Sequence, residues 1–158
     1  MSEGVPARGR IALLRQLPWR HRLLLLQAAA LLTALRVLLR TAGLRRVHAV
    51  LNRSARPAAF AGRRAWSSPR EVQAAVHLVA MAARRLPAST TCLHRSLALW
   101  WLLRRRGVDC ELRLGARRQD ERFDAHAWVE CDGEVVNDDP HKVREYVPLS
   151  WHPAGQRP

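Results

Sequence analysis

Lysine is nearly absent. Lys142 is the only one among 27 basic residues, so the formal net charge of +14 is carried by arginine. A balance this basic points to nucleic acid, an anionic membrane surface or acidic peptides. Ala and Leu are abundant too, as in a GC-rich coding bias, so charge alone assigns no partner. Cysteine is scarce as well. Cys92, Cys110 and Cys131 form an odd set without repeated spacing, which argues against a disulfide framework and suits a reducing compartment. The opening "MSEGVPARGRIALLRQLPWRHR" has neither the apolar core nor the small-residue cleavage site of a secretory signal, so the cytoplasm is the expected location. No phosphate loop, dinucleotide glycine motif or internal repeat is present. Zinc is not expected either: Cys92 and His94 diverge by about 200° on a helix, and His126 and Cys131 face opposite sides of a strand. No metal or cofactor is therefore expected. The arginines at 104 to 106, Arg117, Arg118 and Arg122 lack the interleaved aromatics of a single-strand stacking platform, which disfavours nucleic acid.

A chain of 158 residues suits one domain with one core. Its longest apolar run, Leu23 to Leu39, is interrupted by Gln27 and Arg36 and falls short of the roughly 20 apolar residues that span a bilayer. It reads as a buried helix from Arg20 to Arg40 with a narrow polar stripe of Arg22, Thr33, Arg36 and Arg40; membrane contact or partner docking is the alternative. A short helix through "LRRVHAVLNR" follows, and Pro57 and Gly62 break the pattern after it. Residues 1–65 thus form a helical N-terminal segment, as core cover or partner docking. "SPRE" at Ser68 to Glu71 is a capping box that starts a helix running to Leu86, with Pro87 as the stop. Thr90 or Thr91 caps the next helix, which carries Cys92 in its first turn and ends at Gly107. The period then changes to two: Cys110 to Ala116, Ala125 to Cys131, and "EVVN" after the hairpin dipeptide Asp132-Gly133. Helices followed by an antiparallel meander make an α+β fold.

A cysteine at a helix N-terminus is a candidate nucleophile, because the free N–H groups there favour a thiolate and can donate to an oxyanion. Cysteine is also a common core residue, so Cys92 alone does not decide the matter. His126 adds to it. In the second strand Ala125, Ala127, Val129 and Cys131 form a small apolar face, which turns His126, Trp128 and Glu130 to the other side. Thiolate, imidazole and an orienting carboxylate form an acyl-transfer site. For the carboxylate, a plain two-residue turn sets His126 opposite Asp139, whereas one bulged residue presents Asp138. His94 and Arg95 read as packing or surface groups.

The stretch "CLHRSLALWWLLRRRGVDCELRLGA" followed by "AHAWVECDGEVVND" resembles the transglutaminase-like cysteine peptidases of lasso-peptide biosynthesis, over about Cys92 to Pro148. The resemblance implies a papain-like or transglutaminase-like domain over 66–158, with Cys92 as nucleophile, His126 as base and Asp138 as third member. A bulge or longer turn would be needed to bring Asp138 to His126, and Asp139 stays the alternate. It also implies hydrolysis of a ribosomal precursor between leader and core, ahead of ring closure by an ATP-dependent cyclase. The winged-helix leader-recognition domain of some relatives has no counterpart among the first 65 residues, so a separate recognition protein is the expected partner. The glutamine that papain-like enzymes use as oxyanion donor is missing upstream of Cys92; Ser89, Thr90 or a backbone amide would replace it. Competing readings are a basic nucleic-acid or membrane-binding module, and an amidase or acyl transferase with the same three residues.

Overall fold

The computed structural model describes residues 18–55, 68–86, 90–119 and 122–149. Three helices come first: α1 (Trp19–Ser54), α2 (Pro69–Arg85) and α3 (Cys92–Arg104). Strands β1 (Cys110–Gln119), β2 (Arg122–Cys131) and β3 (Glu134–Val135) follow, then a one-turn helix α4 (Pro140–Val143) and β4 (Val147–Pro148). The four strands make one sheet in the order β3-β2-β1-β4, antiparallel at every junction. The fold is α+β, as the change of period predicts.

One long helix and one short one were expected, and α1 is two such limbs joined at a kink at Gly43, whose φ of 74° no helical residue adopts. Thr41, just before it, turns its hydroxyl back to the carbonyl of Val37. Leu24, Leu25, Ala28, Leu32 and Leu35 are the buried stripe before the kink, and Val47, His48 and Leu51 the buried stripe after it. Trp19, Leu23, Leu26, Val37 and Leu38 remain exposed on the outer side. By length and composition α1 could cross a membrane; here its inner stripe joins α2, α3 and the sheet in one core.

The Ser68 capping box is present. Ser68 Oγ accepts the N–H of Arg70, and Glu71 accepts the N–H of Ser68. Pro87 and the loop around Pro57 and Gly62 lie outside the described residues. In α3, Leu97, Leu99, Leu102 and Leu103 are fully buried, each worth roughly 1.5–3 kcal/mol of transfer free energy. They make this helix the centre of the core, between α1 and α2 on one side and β2 on the other. The face of β2 turned to them is the expected one for Ala127, Val129 and Cys131, which are buried, whereas Ala125, expected with them, is exposed.

The opposite face is also covered. Trp128, Val143 and Tyr146 form a second, smaller cluster, which closes over that side of the sheet as the chain returns through α4 and β4. The return path crosses Gly115, opposite His126 in the ladder. A Cβ at Gly115 would stand 2.8 Å from the Cβ of Tyr146 and 2.9 Å from the Trp128 ring. Only glycine lets the cover come down this close.

Candidate active site

The hairpin after β2 is the plain two-residue turn. Asp132 and Gly133 take φ of 51° and 80°, and Cys131 pairs with Glu134 as Glu130 does with Val135. The bulge or longer turn expected from the resemblance is therefore not formed. β3 simply stops: the N–H of Val136 still donates to the carbonyl of Val129 (3.0 Å), but the next partner on β2 is a side chain. Asn137 Oδ1 accepts the N–H of Val129 (2.8 Å). With its backbone freed from the ladder, the chain turns across the edge of β2, and the simple count of opposed residues no longer applies.

Asp138, the next residue, receives a hydrogen bond from Nε2 of His126 at 2.6 Å. Its other oxygen accepts the N–H of Asp139 (2.9 Å), with Lys142 Nζ at 3.9 Å. Burial alone would raise the Asp138 carboxyl. The Asp139 N–H, the His126 hydrogen bond and charge, and Lys142 outweigh it and hold the group below the usual carboxylate range. A carboxylate kept ionised in this way fixes the histidine tautomer: Nε2 carries the proton, and Nδ1 is the ring nitrogen left to accept one. Asp139 serves another purpose, accepting the N–H of His141 (2.8 Å) as the N-cap of α4.

His126 is 9% exposed, packed against two aromatic rings. The Tyr146 ring stacks on it with centroids 5.0 Å apart, and the Trp128 ring lies 6.3 Å from His126 and 6.5 Å from Tyr146. Tyr146 is itself fixed. Its hydroxyl donates to Asp124 (2.7 Å), Arg117 donates to the same carboxylate (3.2 Å), and the Arg117 guanidinium lies 4.7 Å over the Tyr146 ring. Arg117 also pairs with Glu145. The Tyr146 hydrogen bond, then Arg117, hold Asp124 below the carboxylate range against its partial burial.

Cys92 is the first residue of α3, half-buried. Thr91 is the N-cap, and the capping partner is His94: its Nδ1 accepts the Thr91 N–H (3.3 Å) and lies 2.7 Å from the Thr91 hydroxyl. Burial, then the charges of Arg36 and Arg40, lower the His94 pKa, which keeps Nδ1 free to accept. His94, half-buried, closes the end of the helix that carries the thiol.

The placement of α3 against β2 rests on a chain of three hydrogen bonds. Ser96 Oγ donates to the carbonyl of Ala127 (2.8 Å), and Asn137 Nδ2 donates to Ser96 Oγ (2.9 Å); the Val129 N–H to Asn137 Oδ1 bond completes it. Four residues further along α3, the carbonyl of Trp100 meets Cys110 Sγ, whose ladder partner is Cys131. The helix therefore advances along β2 from Ala127 toward Cys131. Cys92, one turn or about 5.4 Å before Ser96 on the same helix face, opens α3 at the Ala127 end of this contact.

Ser96, Asn137, Tyr146 and Gly115 carried no signal as a group. Ser96 follows Cys92 by four residues, the spacing that puts two side chains on one stripe, and Asn137 precedes the aspartate. Those two positions were open to inference. Ser89, a sequence candidate for oxyanion donor, lies outside the described residues. Among the described residues no group of three or more His, Cys, Asp or Glu side chains is arranged to hold a metal ion.

No solved structure matches the chain. Over 50 residues it is 44% identical to the microcin J25-processing protein McjB of Escherichia coli, a stretch that makes up 32% of this chain and 23% of that protein. The chain thus matches less than a quarter of that relative's length. The family model of the transglutaminase-like superfamily covers residues 28–150, from within the first half of α1 through α3, the sheet and the Asn137–Asp138 return, and the chain belongs to that superfamily.

Proposed function

We propose that the chain is a cytoplasmic cysteine peptidase that removes the leader from a ribosomally made lasso-peptide precursor, with Cys92, His126 and Asp138 as the reacting groups. The observation that carries the proposal is the 2.6 Å contact between His126 and an ionised Asp138, in a domain whose α3 begins at Cys92. The likeness to the microcin J25-processing protein supports the substrate class, and superfamily membership supports the acyl-transfer chemistry.

In this reading the Cys92 thiolate, stabilised by the first amides of α3, attacks the carbonyl of the leader–core bond. The oxyanion of the tetrahedral intermediate takes the free N–H at the helix start. His126, protonated at Nδ1, gives its proton to the departing core amine, and a thioester to the leader remains. The neutral imidazole then takes a proton from water, which hydrolyses the thioester and regenerates the thiolate. Asp138 holds the ring and stabilises its charged form throughout. The freed core amine is the group that a separate ATP-dependent cyclase needs. The segment 1–65 is proposed to receive the separate leader-recognition protein through the exposed side of α1, while residues 66–158 hold the reacting groups.

The test is incubation of the purified chain with precursor peptide, with and without the recognition protein, followed by mass spectrometry. Leader and core should appear as separate products, and Cys92→Ala should give neither. Cleavage that survives Cys92→Ala, or none under any combination of partners, rejects the proposal.

A further inference from the structure

Two thiols take no part in the site. Cys110 and Cys131 are both buried, at 3% and 7% exposure, and stand directly opposite one another in the β1–β2 ladder. The backbone groups of Val129 point to β3 and Asn137. Two residues on, those of Cys131 do the same, toward Glu134. Cys110 and Cys131 are therefore a non-hydrogen-bonded pair of the β1–β2 ladder. Such a pair has Cα atoms about 4.5 Å apart, inside the roughly 4.4–6.8 Å that a disulfide spans. Their side chains share the α3 face, where Cys110 Sγ donates to the carbonyl of Trp100 (3.8 Å).

The two thiols are unequal. The neighbouring Cys110 holds the Cys131 thiol below the ordinary value, while Cys131 and then burial push Cys110 up. Cys131 keeps 7% exposure, and a depression beside its partner Cys110 opens at the hairpin end. About 230 Å³ in volume and lined by Asp109, Cys110, Glu111, Asp132 and Gly133 among others, it has several times the roughly 30 Å³ share of a water molecule. A molecule the size of hydrogen peroxide fits.

The geometry points to Cys110 and Cys131 as a redox site that closes to a reversible cross-strand disulfide on meeting a hydroperoxide. Cys131, as thiolate, attacks one peroxide oxygen; the O–O bond breaks, giving a sulfenic acid and hydroxide. With the charge on Cys131 gone, Cys110 loses the partner that held its proton. Its sulfur attacks the sulfenic sulfur, the S–O bond breaks and water leaves. The two thiols lose two hydrogens and two electrons, and one peroxide becomes two waters.

The experiment treats the reduced, folded chain with a small molar excess of hydrogen peroxide. Remaining thiols are blocked with iodoacetamide, and the chain is digested and mapped by mass spectrometry without reduction. The expected product is a peptide pair joined through Cys110 and Cys131, two hydrogens lighter than the separate peptides and parted by dithiothreitol. Free thiols should fall from three to one. Cys92→Ala, used to remove the competing thiol, should form the same cross-link, and in Cys110→Ala dimedone should label Cys131. Recovery of Cys110 and Cys131 as separate alkylated peptides, or of Cys131 as sulfinic acid without cross-link, would overturn the inference. None of these readouts uses peptidase turnover, so they stand or fall apart from the proposed function.

Discussion

Nε2 of His126 and Oδ2 of Asp138 are 2.6 Å apart, while the neighbouring Asp139 caps α4. This division of labour separates two substitutions that look alike in sequence. Asp138→Ala frees the His126 ring and removes the charge that stabilises imidazolium, so turnover of precursor should fall on the order of 10²–10⁴-fold. Asp138→Asn, which still accepts the Nε2 proton, should lose less. Asp139→Ala should cost about 1 kcal/mol of stability through the lost cap and leave turnover within a few-fold of wild type. Single-turnover assays beside urea titrations decide it, and equal losses of turnover for Asp138→Ala and Asp139→Ala would contradict the assignment.

Asn137 is the hinge on which the site is hung. Asn137→Ala leaves the Val129 N–H without its acceptor and Ser96 without its donor, at the point where α3, β2 and the Asp138 segment meet. One unsatisfied buried group costs about 1–3 kcal/mol, so the midpoint of urea unfolding should drop accordingly. If the chain of bonds positions Cys92 against His126, a second readout moves as well. The rate at which iodoacetamide alkylates Cys92 at pH 7 should fall in Asn137→Ala, while Asn137→Asp, which still accepts the Val129 N–H, should keep part of it. A stability loss with an unchanged alkylation rate would reduce Asn137 to a scaffold role.

How much of this was legible follows the kind of signal each residue gives. Ser68, Pro69 and Glu71 mark a helix start through local hydrogen bonding, and Ala127, Val129 and Cys131 declare their face by alternation. Both are short-range patterns, and the structure keeps them. The strand pairing was legible as far as Asp132-Gly133 dictates it. It failed at Val136, because Asn137 replaces its own backbone with its side chain, and no periodicity reports such an exchange. Only the resemblance, not the register, pointed to Asp138. Tyr146 lies beyond α4, on a return whose course depends on the open space above Gly115. Such contacts between distant segments leave no spacing in the chain.

Gly115 offers a direct test of that cover. A methyl group in Gly115→Ala would meet the Tyr146 Cβ at 2.8 Å and the Trp128 ring at 2.9 Å. The first is close to backbone and cannot swing away. Overpacking of this kind costs about 1–3 kcal/mol, and the displaced group is the ring that stacks on His126. The expected outcome is a lower unfolding midpoint, an altered near-ultraviolet circular dichroism signal from Trp128 and Tyr146, and slower cleavage. Wild-type stability in Gly115→Ala would mean that the return from α4 does not pack on β1 as described.

The last expectation concerns acid. His48, on the second limb of α1, is 3% exposed and stacks on Trp100 of α3 with ring centroids 4.4 Å apart. Burial, and secondarily the positive charge of Arg104, lower its pKa from 6.5 to about 4. Its stabilising contribution is complete above pH 6.5, where the ring is neutral in both folded and unfolded chains. Below that pH the unfolded chain takes up the proton first, so stability falls until about pH 4, where the folded chain is protonated as well. The full loss for such a gap is roughly 3 kcal/mol. His94, lowered by burial and then by Arg36 and Arg40, acts in the same direction, so the slope of wild type alone cannot isolate His48. The difference between wild type and His48→Phe can, because phenylalanine keeps a ring against Trp100 and has no proton to exchange. Urea unfolding at pH 7, 5.5 and 4 should show wild type losing more stability than the variant at each step down. Parallel losses in the two proteins would show that His48 is not buried neutral between the helices.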